Sequence, residues 1–508
     1  MAKYDYAQPV LGMPDLMEIM LRKGAIGRKG PGGFYRIIRT EDKKQSETVT
    51  ETGDYRPTDM ESLALAKSLS FNRLLDDAGE RGQFVWDFLS GIIVYTLEIA
   101  DQIANSPGDI DTAMRLGYNW RWGPFELLDK IGVARFAAHL EQQEKPIPKR
   151  LRQMLEAGQE CCYRQVSEPR EMLGFDGEYH AIARSKHQFQ LADYKGAGTP
   201  VLKTESGALW DLGDGVGCLE FATKLNVLDP GVVELIHQLV DRAPTHLRAL
   251  VIGGDGAHFS AGADLTFFLD RAHAKLWSEV DDFLAQLQQA LAGLRDAPFP
   301  VVAAARGLAL GGGCELLMHC NSAVAHAELN AGLVEIGVGL IPAGGGLKTL
   351  CMNWDSLDQD PLTIFENLIF GQVSGSAQQA KKFAYLKPAN PIQMHPQRVL
   401  ASAKQHALTL ANDFKPTSSR STTFDGVARF NQLSQHADDF YQQGKLTEVD
   451  VAIAQSMARV LSADHSQTEV SEAELDRLER YYFLEHLKQP TTQQRIEHML
   501  KTGQRLRN

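Results

Sequence analysis

Hydrophobic and polar positions follow two rhythms along this chain. In the N-terminal third, Leu16, Met17, Met20 and Leu21, and then Phe84, Phe88, Ile92, Ile99 and Ile103, fall at helical spacing and predict a short helix and one long amphipathic helix. Ser106-Pro107 opens another helix, with Pro at the first-turn position and Asp109 near the positive end of the dipole. From there to about Ala192 the pattern stays mostly helical and polar. The stretch from Thr40 to Asp59 carries charges of both signs among Ser and Thr, which predicts a linker. At Thr199 the rhythm changes. The runs Val201 to Thr204, Ala208 to Leu212 and Val216 to Ala222, separated by glycine turns, predict a β-meander. A helix from Asp229-Pro230 to about Arg242 follows, then a strand from Leu247 to Ile252, a helix from about Ala274 to Leu294 and a strand from Pro300 to Ala305. This alternation predicts a parallel sheet with crossover helices. After about Ala380 the chain reads as helical to its end, with Ser471…Glu474 and Thr491…Gln494 as capping boxes on either side of Pro490.

At roughly 150 residues per domain, 508 residues suggest about three domains, with enough core to need neither disulfides nor a structural metal. A formal charge of −12 without a dense Lys/Arg run argues against nucleic acid or an anionic membrane as partner. The six cysteines form no C-x-x-C pair and no zinc spacing, so no metal site is expected and they read as reduced thiols of a cytosolic protein. The most apolar stretch, Phe299 to Met318, is interrupted by Arg306, a glycine run and Glu315, so it predicts no membrane span. The first eight residues carry Lys3 and Asp5 and lack an apolar signal core, which leaves a cytoplasmic location as the expectation.

The chemistry concentrates between Gly253 and Gly346. Phe259-Ser-Ala-Gly-Ala-Asp-Leu265 follows a predicted strand, and its small residues let backbone N–H groups approach a ligand. Arg306-Gly-Leu-Ala-Leu-Gly-Gly-Gly-Cys-Glu-Leu316 follows another strand and opens a helix, whose first N–H groups favour negative charge. Two such turns can clamp one oxygen as an oxyanion hole. Glycine-rich turns alone mark many strand-to-helix connections. What points to chemistry is the pair of acids, Glu315 on that helix and Glu335 before Ile336-Gly-Val-Gly-Leu-Ile-Pro-Ala-Gly-Gly-Gly346, since proton transfer with water activation needs two carboxyls.

F-S-A-G-A-D-L, G-L-A-L-G-G-G-C-E-L and V-E-I-G-V-G-L-I-P-A-G-G-G resemble, in order and spacing, the crotonase (enoyl-CoA hydratase/isomerase) superfamily over about residues 200–380. The resemblance implies an α/β crotonase-like core, a β-meander plus βαβ units, with oxyanion-hole N–H groups at Ala261 and Gly312. It implies Glu335 as the acid exchanging the proton at Cα of the thioester, and Glu315 as the residue that positions and activates the water added at Cβ. Lys224 and Asn226, with Gly262, Ala263, Asp264 and Leu265, would contact the substrate or its coenzyme A. His258 and His319 are expected to be structural. Val334 stands where many hydratases have Pro, a departure expected to alter loop shape rather than chemistry. Keeping both acids favours hydration of a 2-enoyl-CoA, a reaction needing no cofactor beyond the coenzyme A of its substrate.

Gly27-Arg-Lys-Gly-Pro-Gly-Gly-Phe-Tyr35 and Asp109-Ile-Asp-Thr-Ala-Met-Arg-Leu-Gly-Tyr-Asn-Trp120 with Gly123-Pro-Phe-Glu-Leu127 resemble the all-α C-terminal part of 3-hydroxyacyl-CoA dehydrogenases. The whole is similar to bacterial multifunctional β-oxidation proteins. It divides into a remnant of a first dehydrogenase-type helical domain (1–40), a linker (41–75), a second such domain with its connector (76–192), the crotonase-like domain (193–380) and a C-terminal helical region (381–508). No strand–G-x-G-x-x-G–helix unit occurs in the dehydrogenase-like region, so NAD is expected only if a Rossmann domain is supplied from elsewhere. Whether Met1 is a true start stays open. Three functions follow as alternatives: a hydratase acting on acyl-CoA thioesters, a Δ3-Δ2-enoyl-CoA isomerase, or a half-protein that docks a separate Rossmann partner. A homo-oligomer through the crotonase core and a thiolase partner are further expectations of the resemblance.

Overall fold

The computed structural model describes residues 13–508 apart from 28–29, 40–43, 62–68, 165–169, 183–187, 196–197, 358, 417–419 and 467–468. Its contacts divide the chain into two units, Met1–Ala183 and Arg184–Asn508.

In the first unit, helix α1 (Asp15–Arg22) precedes an antiparallel sheet of β1 (Tyr35–Arg39), β2 (Lys44–Val49) and β3 (Tyr55–Pro57). The stretch predicted as a linker is thus largely sheet. Its strands are polar on both faces and held by cross-strand pairs such as Arg36–Glu47 at 2.7 Å, so no apolar alternation announces them. Helix α2 (Phe71–Leu75) leads to the long α3 (Glu80–Ile103), where the sequence placed it. The face it buries is Trp86, Leu89, Ile93, Leu97 and Ala100; of the stripe that predicts the helix, Ile92 and Ile99 are half-buried and Phe84, Phe88 and Ile103 are exposed. Among the described residues α3 alone has the length and apolar character to cross a membrane, and its Trp86–Ala100 face packs in the unit's core. Helices α4 (Pro107–Tyr118), α5 (Pro124–Ile131), α6 (Val133–Gln142) and α7 (Lys149–Glu156) complete that core, and β4 (Tyr163–Arg164), β5 (Glu171–Leu173) and β6 (Tyr179–Ala181) form a small sheet where helix was expected. Buried Asp111 ties the unit together by accepting from the Phe125 and Glu126 N–H groups and the Tyr163 hydroxyl.

The second unit is built on a seven-stranded sheet. Antiparallel β7 (Leu202–Lys203), β8 (Gly207–Asp211) and β9 (Val216–Phe221) form the expected meander, and β9 continues parallel to β10 (Ala249–Ile252), β11 (Val301–Ala305), β13 (Ser322–His326) and β15 (Ile392–Gln393). Parallel strands covered on both faces read as continuous apolar runs, as Ala-Leu-Val-Ile and Val-Val-Ala-Ala-Ala do here. Helix α8 (Pro230–Asp241) joins β9 to β10. Helices α9 (Leu265–Ala274) and α10 (Trp277–Asp296) join β10 to β11, so the single helix expected from about Ala274 is two, the first starting at Leu265. Strand β12 (Leu308–Leu310), which pairs with β14 (Asn330–Gly332), feeds α11 (Gly312–His319).

A 3₁₀ turn at Glu335–Val338 precedes α12 (Gly346–Asn353), α13 (Pro361–Ile369) and α14 (Ala377–Lys382). Helix α15 (Val399–Ala411) covers one sheet face through Val399, Leu400, Ala403 and Ala407. The remaining helices are α16 (Gly426–Gln442), α17 (Glu448–Leu461), α18 (Glu472–Leu487) and α19 (Pro490–Thr502). Leu433, Ile453, Leu475, Phe483 and Ile496 belong to the same core as Leu250, Leu284 and Leu316, so the region after 380 is not a separate helical body. Ser471 and Glu474 do form a capping box. Thr491 does not, because α19 begins one residue earlier, at Pro490, and the residue before it, Gln489, makes no side-chain capping bond.

Candidate active site

The two glycine-rich turns meet in the second unit. Ser260 bridges Ala309, and Ala263 bridges Leu228, which lays the 259–265 turn along β12 and the start of α11. Gly262, at φ +110°, makes the turn possible: a Cβ there would sit 2.9 Å from the Leu310 carbonyl. The Ala261 N–H points away, donating to the Leu225 carbonyl at 3.0 Å. Among the described residues the Ala263 and Gly312 N–H groups meet no acceptor, and they lie together, since a methyl group on Gly312 would come within 3.3 Å of the Ala263 nitrogen. The pair able to receive an anion is therefore Ala263 with Gly312, and the assignment to Ala261 is corrected, because that N–H is already spent on the Lys224–Asn226 turn.

Beside this pair opens a cleft of about 520 Å³. Gly262, Ala263, Asp264, Leu265, Gly312, Glu315 and Glu335 all line it. Lys224 and Asn226 do not, whereas their neighbours Leu225 and Val227 do. Asn226 instead donates its side-chain amide to the His258 and Phe259 carbonyls and pins its turn to the 258–260 segment. Asp264 caps α9 by accepting from the Thr266 N–H. The rest of the wall is apolar apart from Arg505, with Phe268, Leu284 and Leu287 from α9 and α10 and Phe483, Met499 and Leu500 from α18 and α19. These last residues are too remote in sequence to have been read as part of the site.

Glu315 sits in the first turn of α11 with 3% of its surface exposed, its Oε1 accepting from the Gly344 and Gly346 N–H groups at 2.7 and 2.9 Å. Burial pushes its carboxyl up to about 7, against the pull of those two N–H groups and of the Lys348 charge. Glu335 opens the 3₁₀ turn, and its Oε2 is closed off from solvent without a hydrogen-bond partner. Burial, then the nearby Glu315 charge, holds this carboxyl well above the ordinary glutamate range. Near neutral pH the cleft thus offers a protonated acid and a second carboxyl poised between its two states, beside two free N–H groups. That set can give one proton, take another and hold a developing oxyanion. His258 and His319 serve the framework: His258 Nδ1 accepts from the Leu308 N–H, and His319 Nδ1 bonds the Glu315 carbonyl. Among the described residues no three His, Cys, Asp or Glu side chains converge to hold a metal ion.

Residues 214–353 match the enoyl-CoA hydratase/isomerase family, and residues 84–161 match the 3-hydroxyacyl-CoA dehydrogenase C-terminal domain. The chain is 33% identical over 519 aligned residues to a probable 3-hydroxyacyl-CoA dehydrogenase of Bacillus subtilis (strain 168), covering 98% of this chain and 65% of that protein. It is 28% identical to a putative fatty acid oxidation complex trifunctional enzyme of Rickettsia prowazekii (strain Madrid E), over 94% of this chain and 61% of the relative. A probable enoyl-CoA hydratase of Bacillus subtilis (strain 168) is 34% identical over 25% of this chain and 48% of its own length. The chain spans less than two thirds of the two long relatives.

Proposed function

For a chain of the fusion type that joins an enoyl-CoA hydratase/isomerase domain to a 3-hydroxyacyl-CoA dehydrogenase C-terminal domain, we propose hydration of 2-enoyl-CoA thioesters to 3-hydroxyacyl-CoA as the activity. The observation that carries this reading is the convergence of Glu315, Glu335 and the free Ala263 and Gly312 N–H groups on one largely apolar cleft.

In this reading the thioester carbonyl oxygen lies between the N–H groups of Ala263 and Gly312, which stabilise the enolate as it forms. Glu315 takes a proton from a water molecule, whose oxygen bonds to Cβ. The electron pair of the C=C bond moves toward the thioester, and Glu335, held protonated by its buried setting, gives its proton to Cα. Reversal regenerates the 2-enoyl thioester and water. The apolar wall of Phe268, Leu284, Leu287 and Phe483 takes the acyl chain and excludes bulk water. No metal or redox cofactor enters these steps.

Purified protein mixed with crotonyl-CoA should bleach the conjugated thioester absorbance, and Glu335→Gln should lower the rate by about 10²-fold or more while the fold persists. Wild-type rates in that variant would overturn the mechanism. A chain that shifts the double bond of a 3-enoyl-CoA without adding water would overturn the assignment to hydration.

A further inference from the structure

The turn leading into α12 presents four backbone N–H groups, and two carboxyls divide them. Gly344 and Gly346 donate to Glu315, as described. Gly345, at φ +98°, turns its N–H to the opposite side and donates to Glu479 Oε2 at 2.8 Å, and Lys348 donates its N–H to Glu479 Oε1 at 2.7 Å. Glu479 stands on α18 with no surface exposed, and its third donor is the Gln288 side-chain amide from α10, 3.2 Å from Oε2. Three N–H donors on its two oxygens are met by a carboxyl, whereas glutamine would aim its own NH₂ at one of them. The nearest cation, the Lys348 ammonium, pairs with Asp476 at 2.7 Å instead. Burying a carboxyl this way is costly, and an apolar side chain would pack the same space without that cost.

We propose that Glu479 is a positioning residue of the active site: by holding the Gly345 and Lys348 amides it fixes the turn whose other two amides hold Glu315. The inference deepens the hydratase reading and rests on it. The groups facing this pair of acids are Glu335 from the 3₁₀ turn, Lys348 from α12, Asp476 from α18 and His319 from α11, with Arg480 reaching Gln288 Oε1. Burial keeps His319 neutral, pushed down to about 3, so Lys348 is the main balancing charge. Burial, then the charges of Glu315 and Asp476, holds the Glu479 carboxyl well above the ordinary glutamate range.

The test uses the full chain with carboxyl-¹³C glutamate, the Glu315 resonance being identified by its loss in Glu315→Gln. In Glu479→Gln the Gly344 and Gly346 amides lose their fixed place, so the Glu315 midpoint should move up. With crotonyl-CoA, kcat should fall by about 10–100-fold while KM stays near wild type. Glu479→Asp keeps the carboxyl but withdraws it by one methylene, and should lower kcat while the Glu315 midpoint moves less. A folded Glu479→Gln protein with unchanged midpoint and kcat overturns the proposal. If Glu479→Gln does not fold, wild-type kcat in Glu479→Asp overturns it. If the wild type hydrates nothing, the hydratase reading fails, and the Glu315 midpoint alone decides the positioning role.

Discussion

Glu315→Gln should make the protein more stable as it removes activity, and only on the alkaline side. The glutamine keeps the Oε1 acceptor for the Gly344 and Gly346 N–H groups, so the perturbation is the lost charge. In the folded chain the Glu315 carboxyl titrates at about 7, against an ordinary 4.5. A raised carboxyl lets the folded state bind the proton more tightly than the unfolded state. Its stabilising contribution is therefore complete below pH 4.5 and is lost as pH rises through about 7. At about 1.36 kcal/mol per pH unit, the ionised wild type stands about 3 kcal/mol below the neutral variant at pH 8.5, and less than about 1 kcal/mol below it at pH 5. Urea unfolding of both proteins at the two pH values reads the difference directly. Equal stabilities at pH 8.5, or a gap that widens toward acid, would refute the reasoning.

Other substitutions probe the frame around that carboxyl. Gly312→Ala places a methyl group 3.3 Å from the Ala263 nitrogen, in the space where an oxyanion would bind. It should fold and lose about 10²–10³-fold in kcat, measured with crotonyl-CoA. Gly313→Ala drives a methyl group to 2.6 Å from both the Ser260 carbonyl and its Cβ, so it should lower stability by about 1–3 kcal/mol in thermal unfolding. Phe483→Ala removes a ring packed 5.1 Å from Phe268, which should cost about 3–5 kcal/mol and shift turnover toward longer acyl chains when substrates of graded length are compared.

The central sheet and the acid pair were legible because each rests on local sequence: continuous apolar runs for β10 and β11, and glutamates at fixed places after glycine turns. What escaped depends on partners far along the chain. Whether Ala261 or Ala263 offers a free N–H is decided by the Leu225 carbonyl, which belongs to a turn no glycine pattern announces. Glu479, Phe483 and Met499 lie on helices that read only as a helical tail. Helix α9 was absorbed into the loop before it, since its Asp264 cap sits inside the glycine-rich motif. Strand β2, Lys-Gln-Ser-Glu-Thr-Val, has no apolar alternation to announce it, and Pro490 at the first position of α19 displaces the start expected at Thr491.

The contacts of α18 and α19 also set an order in time. Glu479 reaches back 134 residues to Gly345, Thr492 reaches 153 to the Gly339 carbonyl and Arg495 reaches 159 to the Ile336 carbonyl. At roughly 5–20 residues per second of synthesis, the acid pair leaves the ribosome roughly ten to thirty seconds before the side chains that clamp its two loops. A nascent chain at that stage carries both glutamates, and Phe268 and Leu284 still await Phe483 and Met499. Completion of the cleft is thus a late event in the life of each molecule, and its apolar wall stays uncovered until then.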